Sequence, residues 1–125
     1  MEEKVPTKRF GRTEIQMPVL TCGGMRYQQS WSDVQPGEVD PKGQENLEAC
    51  IHRALELGIN HIETARGYGS SEMQLGWVLP KIDRDRLLVQ TKIHPWEFPD
   101  RTLTQVFERS EEHTSELQSP CNLVC

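Results

Sequence analysis

The sequence predicts an α/β domain built on a parallel sheet. After an initial hairpin, a short apolar segment followed by a helical segment occurs three times between residues 18 and 107. The segment LLVQTKI, residues 87–93, opens with three consecutive apolar residues, which is typical of a strand covered on both faces. Repeated strand–helix units with right-handed crossovers place their strands side by side in one direction.

The N-terminal segment predicts a hairpin followed by the first strand of that sheet. Residues 8–10 and 14–17 alternate polar and apolar side chains around a turn at 11–13. Residues 18–22, PVLTC, then form a brief apolar run that stops at two glycines. We expect a strand over 18–22.

A long loop is predicted for residues 27–43, which are polar and rich in turn formers. The loop carries two aromatic residues, Tyr27 and Trp31. They could pack over a site, although loop aromatics that only anchor the loop are more common.

Helical spacing is clearest in residues 44–58, QENLEACIHRALELG. The apolar positions follow the i, i+3, i+4, i+7, i+8 stripe of an amphipathic helix, and Gly58 follows as a stop signal. These positions are Leu47, Cys50, Ile51, Ala54 and Leu55.

The next two units are shorter. Residues 59–64 predict a strand, and Ser70 or Ser71 can cap a helix over 72–79. After the strand at 87–93, a third helix is predicted through Val106 and Phe107. Its opening residues are Pro99, Asp100 and Thr102.

Composition narrows the class of protein. The net charge of −5 argues against a nucleic-acid surface. The sequence contains no run of 18 apolar residues, so we expect no membrane span. The N-terminus lacks the apolar core of a secretory signal. The four cysteines form no CxxC pair and no zinc-like spacing, so we expect reduced thiols in the cytoplasm and no metal site.

The C-terminal segment has a different origin in our interpretation. Residues 109–119, RSEEHTSELQS, resemble an in-frame translation of the start of a widely used sequencing-library adapter. The alternative is a polar helical C-terminus. We therefore divide the chain into a partial domain over 1–108 and a non-native tail over 109–125.

Three residues suggest a catalytic site. Glu63 ends one predicted strand, Lys92 lies near the end of the next, and Tyr68 follows Glu63 in a turn bracketed by glycines. Parallel strands present their carboxyl ends at one edge, where α/β sheets place their sites. A phenol has a pKa of about 10, and a nearby ammonium stabilises its phenolate. The trio could therefore make a tyrosine a general acid.

Each of the three residues also has a structural explanation. Glu63 could be a surface carboxylate, Tyr68 a loop tyrosine and Lys92 a strand-end lysine. A short-chain dehydrogenase, the other familiar tyrosine–lysine arrangement, does not fit, because that family places the pair four residues apart on one helix.

Three segments together resemble the aldo/keto reductase family. GINHIETARGYGSSEMQLG is similar to the family signature, in which a strand ends on an acid and a glycine-flanked tyrosine precedes the next helix. KRFGRTEIQMPVLTCGGMRY is similar to its N-terminal hairpin and first barrel strand, and LLVQTKI to the strand with its catalytic lysine. The resemblance covers residues 8–108 and implies the N-terminal part of a (β/α)8 TIM barrel.

The resemblance also implies a reaction and site residues. The family reduces carbonyl compounds with NADPH, which it binds without a Rossmann fold. In agreement, the GYG of this sequence is followed by SSE and lacks the GxGxxG spacing of a Rossmann fold. Tyr68 is implied as proton donor and Lys92 as the residue that promotes its ionisation. Glu63 stands where the family usually has aspartate, and we expect it in both the catalytic and the cofactor site. Gly24 and Met25 match positions that contact the nicotinamide.

Other family elements are expected beyond residue 108, among them the catalytic histidine and the phosphate-binding loops. His52 is predicted on the polar side of its helix, His61 away from the neighbours of Glu63 or against a helix, and His94 in a loop. Two functions remain open. One is a truncated reductase acting on a small carbonyl substrate, inactive in this form, and the other is a non-catalytic cofactor-binding or regulatory subunit on the same fold.

Overall fold

The fold combines a small hairpin with a three-stranded parallel sheet and its helices. The computed structural model describes residues 3–27, 29–93 and 99–108. In chain order the elements are β1 (Thr7–Arg9), β2 (Gln16–Pro18), β3 (Cys22–Gly23), α1 (Pro41–Glu56), β4 (His61–Glu63), α2 (Ser71–Val78) and β5 (Leu88–Gln90). Single 3-10 turns lie at Pro36–Glu38, Leu79–Lys81 and Arg84–Arg86, and residues 103–108 are helical.

The sheet has the order and direction that the strand–helix repeat predicts. The strands β3, β4 and β5 lie in sequence order and pair in parallel. The register places Glu63 opposite Gly23 on one side and Gln90 on the other. The strands β1 and β2 form a separate antiparallel hairpin. The predictions of the hairpin and of the parallel α/β sheet are confirmed.

The predicted strand over 18–22 is wrong in its boundaries. Pro18 ends β2, where it pairs with Thr7, and the parallel strand β3 contains only Cys22 and Gly23. The apolar pair Val19 and Leu20 is exposed in the connection between them. The apolar run therefore does not form one buried strand, because Pro18 pairs in the hairpin and the next two residues connect the hairpin to β3.

The helix α1 begins earlier than its apolar stripe indicates. The Asp40 side chain accepts hydrogen bonds from the amides of Lys42 and Gly43, and Pro41 occupies the first helical position. The predicted loop therefore ends at Asp40. One stripe residue, Cys50, is exposed.

The helix α2 begins without a hydrogen bond from the side chain of its N-cap residue. Ser70 occupies the N-cap position, but its side chain makes no capping hydrogen bond. Its hydroxyl donates to the side-chain oxygen of Gln74 at 2.7 Å and accepts from the amide of Gln29 at 3.3 Å. The prediction of a serine cap is wrong in this respect, because the Ser70 hydroxyl accepts from an amide of the preceding loop and not from an amide of α2.

The core lies between the sheet and its two helices. The buried side chains Leu47 and Ile51 of α1 and Leu75 and Val78 of α2 belong to the same cluster as Ile62 and Val89 of the sheet. In the described part of the chain, no helix has the length and apolar character needed to cross a membrane.

Candidate active site

The structure brings Glu63, Tyr68 and Lys92 together at the carboxyl edge of the sheet. The Lys92 Nζ lies 3.1 Å from the Tyr68 hydroxyl oxygen and 3.3 Å from the carbonyl oxygen of Thr64. The same ammonium forms an ion pair with the Glu63 carboxylate. The three residues that the sequence singled out therefore share one set of contacts.

Backbone pairing beyond the strand ends places Lys92 beside the tyrosine loop. The Thr64 amide donates to the Gln90 carbonyl at 2.8 Å, and the Arg66 amide donates to the Lys92 carbonyl at 3.0 Å. Both bonds continue the parallel pairing of β4 and β5. This continuation holds Lys92 opposite the chain that leads to Tyr68.

The contacts of the ammonium define which group donates to which. An ammonium carries three protons and has no acceptor. All three protons of Lys92 have acceptors, namely Glu63 Oε1, the Thr64 carbonyl and the Tyr68 hydroxyl oxygen. The tyrosine hydroxyl is an acceptor in this contact, so its own proton is available for another oxygen.

Burial and charge act in opposite directions on Lys92. Burial lowers the pKa of its ammonium below the usual value for lysine. The Glu63 carboxylate opposes this by stabilising the charged form. The side chains of Lys92 and Glu63 are 38% and 16% exposed, so solvent also screens the pair.

Gly24 is the second contact of the Glu63 carboxylate. Its amide donates to Glu63 Oε2 at 3.3 Å. A Cβ at this position would lie 2.2 Å from the Glu63 carbonyl oxygen and 3.2 Å from the Tyr27 ring. The backbone just beyond β3 therefore approaches Glu63 too closely for any side chain at Gly24. The next residue, Met25, is 40% exposed.

The backbone conformation and a close contact explain why glycine follows Tyr68. Gly69 has φ +52°, and a Cβ there would lie 1.8 Å from the Ser30 carbonyl oxygen. A left-handed conformation and close contact with the loop over 29–40 both require glycine. The packing of two loops thus explains why glycine occupies this position.

His61 lies on the same face as Glu63, contrary to the prediction. Residues two apart on a strand point to the same side. The His61 ring lies 2.8 Å from the Thr21 hydroxyl through Nδ1 and 3.0 Å from the Gln90 side-chain oxygen through Nε2. Burial lowers the pKa of its imidazole. Of the other histidines, His52 is exposed on α1, and His94 and His113 lie outside the described residues.

Tyr27, the second tyrosine of the chain, anchors its loop. Its ring packs against the core, and its hydroxyl lies 2.7 Å from the Cys22 sulfur. Burial raises the pKa of the Tyr27 hydroxyl well above its usual range, and burial also raises that of the Cys22 thiol. The anchoring interpretation holds for Tyr27, whereas Trp31 is 62% exposed.

A cavity of about 530 Å³ lies beside the three residues and not at them. The cavity lies between the loop around Val34 and the helix α2. At its wall, the Arg66 guanidinium is paired with the Asp33 carboxylate at 2.7 and 2.8 Å. Its described lining is Asp33, Val34, Pro36, Arg66, Gly69, Ser70, Glu72, Met73, Gly76 and Trp77. Within residues 3–27, 29–93 and 99–108, no group of three metal-ligating side chains is close enough to hold a metal ion.

The structure thus has a carboxylate, a lysine and a tyrosine in contact at the carboxyl edge of a parallel sheet. Comparison with known proteins identifies the family. The model of the aldo/keto reductase family matches residues 19–116. The chain therefore belongs to the aldo/keto reductase family, a family of oxidoreductases. No curated protein matches the chain.

Solved structures agree on the fold. A Pseudomonas aeruginosa protein assigned as an aldo-keto reductase is similar with a TM-score of 0.70 at 20% identity, over 98% of this chain and 47% of that one. A second P. aeruginosa structure with this assignment gives 0.67 at 19% identity, over 98% and 48%. Thermostable aldo-keto reductase Tm1743, solved with the inhibitor epalrestat, gives 0.64 at 24% identity, over 89% and 38%.

These likenesses confirm that the fold is part of a (β/α)8 barrel. The strands β3, β4 and β5 with their helices are its described portion. The chain spans less than half the length of each of these structures.

Proposed function

We propose that residues 1–108 are the N-terminal part of a reductase that transfers hydride from NADPH to an aldehyde or ketone, with Tyr68 as the proton donor. The observation that carries this proposal is the direction of the Lys92–Tyr68 contact. Because the ammonium can only donate, the Tyr68 oxygen accepts from it, and the Tyr68 proton can go to a substrate oxygen.

The residues at the edge fit a cofactor placed beside this proton. Gly24 and Met25 follow β3, with the Gly24 amide on the Glu63 carboxylate, and the exposed Met25 leaves surface there for the nicotinamide. A bound NADPH would supply hydride to the carbonyl carbon and would become NADP⁺. Tyr68 then gives its proton to the carbonyl oxygen, so that the product is an alcohol.

Lys92 and Glu63 support the loss of that proton. The ammonium contacts the phenol oxygen directly and stabilises the negative charge that it acquires. Glu63 holds the ammonium in place and keeps it charged against the effect of burial. Both Glu63 carboxylate oxygens are used, one by Lys92 and one by the Gly24 amide.

Removal of the phenol hydroxyl tests this function. In the full-length protein from the native locus, Tyr68→Phe should lower kcat for a panel of aldehydes by about 10²-fold or more, the scale of general acid catalysis. Tyr27→Phe is the matched control, because that hydroxyl contacts Cys22 and not Lys92. NADPH affinity, followed by fluorescence titration, should change little in both variants.

Turnover and NADPH binding, measured together, distinguish the proposal from its alternatives. Full activity in Tyr68→Phe would remove the mechanism. Equal loss of NADPH binding would make Tyr68 a cofactor-binding or structural residue. NADPH binding without turnover in the unaltered full-length protein would favour a regulatory subunit.

The 125-residue chain itself should not reduce carbonyls. An eight-stranded barrel requires about 250 residues, and β3 and β5 each have one edge without a paired strand in the described sheet. Purified chain should oxidise no NADPH with any aldehyde. A rate that Tyr68→Phe abolishes would overturn this expectation.

The proposal places the protein in the cytoplasm, in keeping with the free thiols of Cys22 and Cys50.

A further inference from the structure

The first turn of α2 contacts the carboxyl ends of all three parallel strands. The Ser71 hydroxyl donates to the Gly24 carbonyl at 3.0 Å, just beyond β3. The Thr64 hydroxyl, just beyond β4, lies 2.7 Å from the Ser71 hydroxyl. The Glu72 carboxylate accepts from the Thr91 hydroxyl, just beyond β5, at 2.5 Å. Two consecutive helix residues therefore tie together three strand ends.

These groups form a buried network with a defined direction. Thr64 and Ser71 are fully buried, and Glu72 and Thr91 are 6% and 4% exposed. Since the single hydroxyl proton of Ser71 goes to the Gly24 carbonyl, the Thr64 hydroxyl must donate to Ser71. Buried polar groups need such contacts, so the loss of one hydroxyl leaves a specific group of the network unsatisfied.

Each strand end held in this way also carries a group of the candidate site. The Gly24 amide binds Glu63 Oε2, and the Thr64 carbonyl accepts from the Lys92 ammonium. Thr91 directly precedes Lys92 in the chain. A shift of any strand end would therefore move one of the contacts of Lys92 or Glu63.

We propose that Ser71 and Glu72 are positioning residues that set the geometry of Glu63, Lys92 and Tyr68 from outside the site. This proposal rests on the proposed function, since it concerns the same proton transfer. Ser71 acts on Glu63 through Gly24. Glu72 acts on Lys92 through Thr91.

Ser70 provides a matched control for a purely structural role. It is 2% exposed, it also lies at the start of α2, and its hydroxyl also makes two hydrogen bonds. Those bonds reach Gln74 in the same helix and Gln29 in the preceding loop, and neither leads to a strand end. Ser70→Ala should therefore cost stability without moving the site.

Hydrogen exchange at the Gly24 amide tests the Ser71 arm without requiring any turnover. In the full-length protein, Ser71→Ala should speed this exchange about tenfold or more relative to the Leu88 amide of β5, which donates to the Asn60 carbonyl at 2.9 Å, because the Gly24 carbonyl loses its donor. Ser70→Ala should leave the ratio unchanged. An unchanged ratio in Ser71→Ala, or an equal rise in both variants, would overturn the proposal.

The Glu72 arm is tested at Thr91, where a hydroxyl can be removed or retained. Thr91→Val keeps the shape and should lower kcat about 10- to 100-fold through misplacement of Lys92, with KM and NADPH affinity nearly unchanged. The midpoint of the pH profile of kcat should also shift, because the ammonium is displaced. Thr91→Ser restores the hydroxyl and should restore both quantities. This pair also serves if Ser71→Ala does not fold.

Equal kcat values in the two Thr91 variants would contradict the positioning role. Failure of the proposed function has a different signature, namely full activity in Tyr68→Phe. Failure of positioning alone would leave Tyr68→Phe inactive while Ser71→Ala and Thr91→Val keep normal kcat values and pH profiles.

Discussion

Replacement of Glu63 by aspartate tests how strictly the site depends on distance. The change removes one methylene and withdraws the carboxylate from Lys92 by about 1.5 Å, the length of one carbon–carbon bond. At an effective dielectric constant of about 20, an ion pair that lengthens from about 3 to 4.5 Å loses about 2 kcal/mol. Because Lys92 is 38% exposed and Glu63 is 16% exposed, solvent screening reduces this loss to about 1 kcal/mol.

A loss of this size predicts a modest kinetic effect. If the full 1 kcal/mol appears in the transition state, kcat falls about fivefold, and we expect a decrease below tenfold. Glu63→Gln keeps the length but removes the charge that holds the ammonium, so its kcat should fall further, on the order of 10²-fold.

The assay is steady-state reduction of an aldehyde panel by the full-length protein and both variants, with fluorescence titration of NADPH. Glu45→Asp, at an exposed position of α1, is the control for shortening an unrelated glutamate. Loss of more than 100-fold in Glu63→Asp would show that the carboxylate position matters more than its attraction for Lys92. Full activity in Glu63→Gln would refute any role for its charge.

Three further predictions concern the glycine at the edge, the buried histidine and the tail. Gly24→Ala should destabilise the full-length protein by about 2 kcal/mol or more, since its Cβ would lie 2.2 Å from a backbone oxygen; Gly37→Ala, with nothing within 4 Å of its Cβ, is the control in the same urea titration, and equal effects would contradict the reasoning. The lowered pKa of His61 means that the folded protein binds fewer protons than the unfolded chain, so the free energy of unfolding should fall as pH falls from about 6.5 to the lowered pKa. His61→Gln should flatten this slope in urea titrations over pH, and an unchanged slope in this variant would refute the assignment. The genomic locus should not encode the sequence of 109–119 after residue 108; the family match runs to 116, and genomic sequence reading RSEEHTSELQS there would make the tail native.

The sequence was sufficient to predict which residues meet at the site. Glu63 and Lys92 follow neighbouring short apolar runs, and parallel strands end at a common edge, so the order of elements alone brings them together. Tyr68 follows because only four residues separate it from Glu63. The stripe of α1 likewise predicted its buried face, except at Cys50.

Only the tertiary structure decided features that depend on contacts between distant segments. The requirement for glycine at Gly69 comes from the Ser30 backbone, 39 positions earlier, and that at Gly24 from the Glu63 carbonyl. His61 has hydrogen-bond partners on both sides, in Thr21 just before β3 and in Gln90 of β5, and Ser71 reaches Gly24 across the end of the sheet. Periodicity and spacing report the conformation of each segment and the edge at which it ends. They carry no information on which backbone atoms of remote segments come within hydrogen-bond distance, because those distances are set by how the whole core packs.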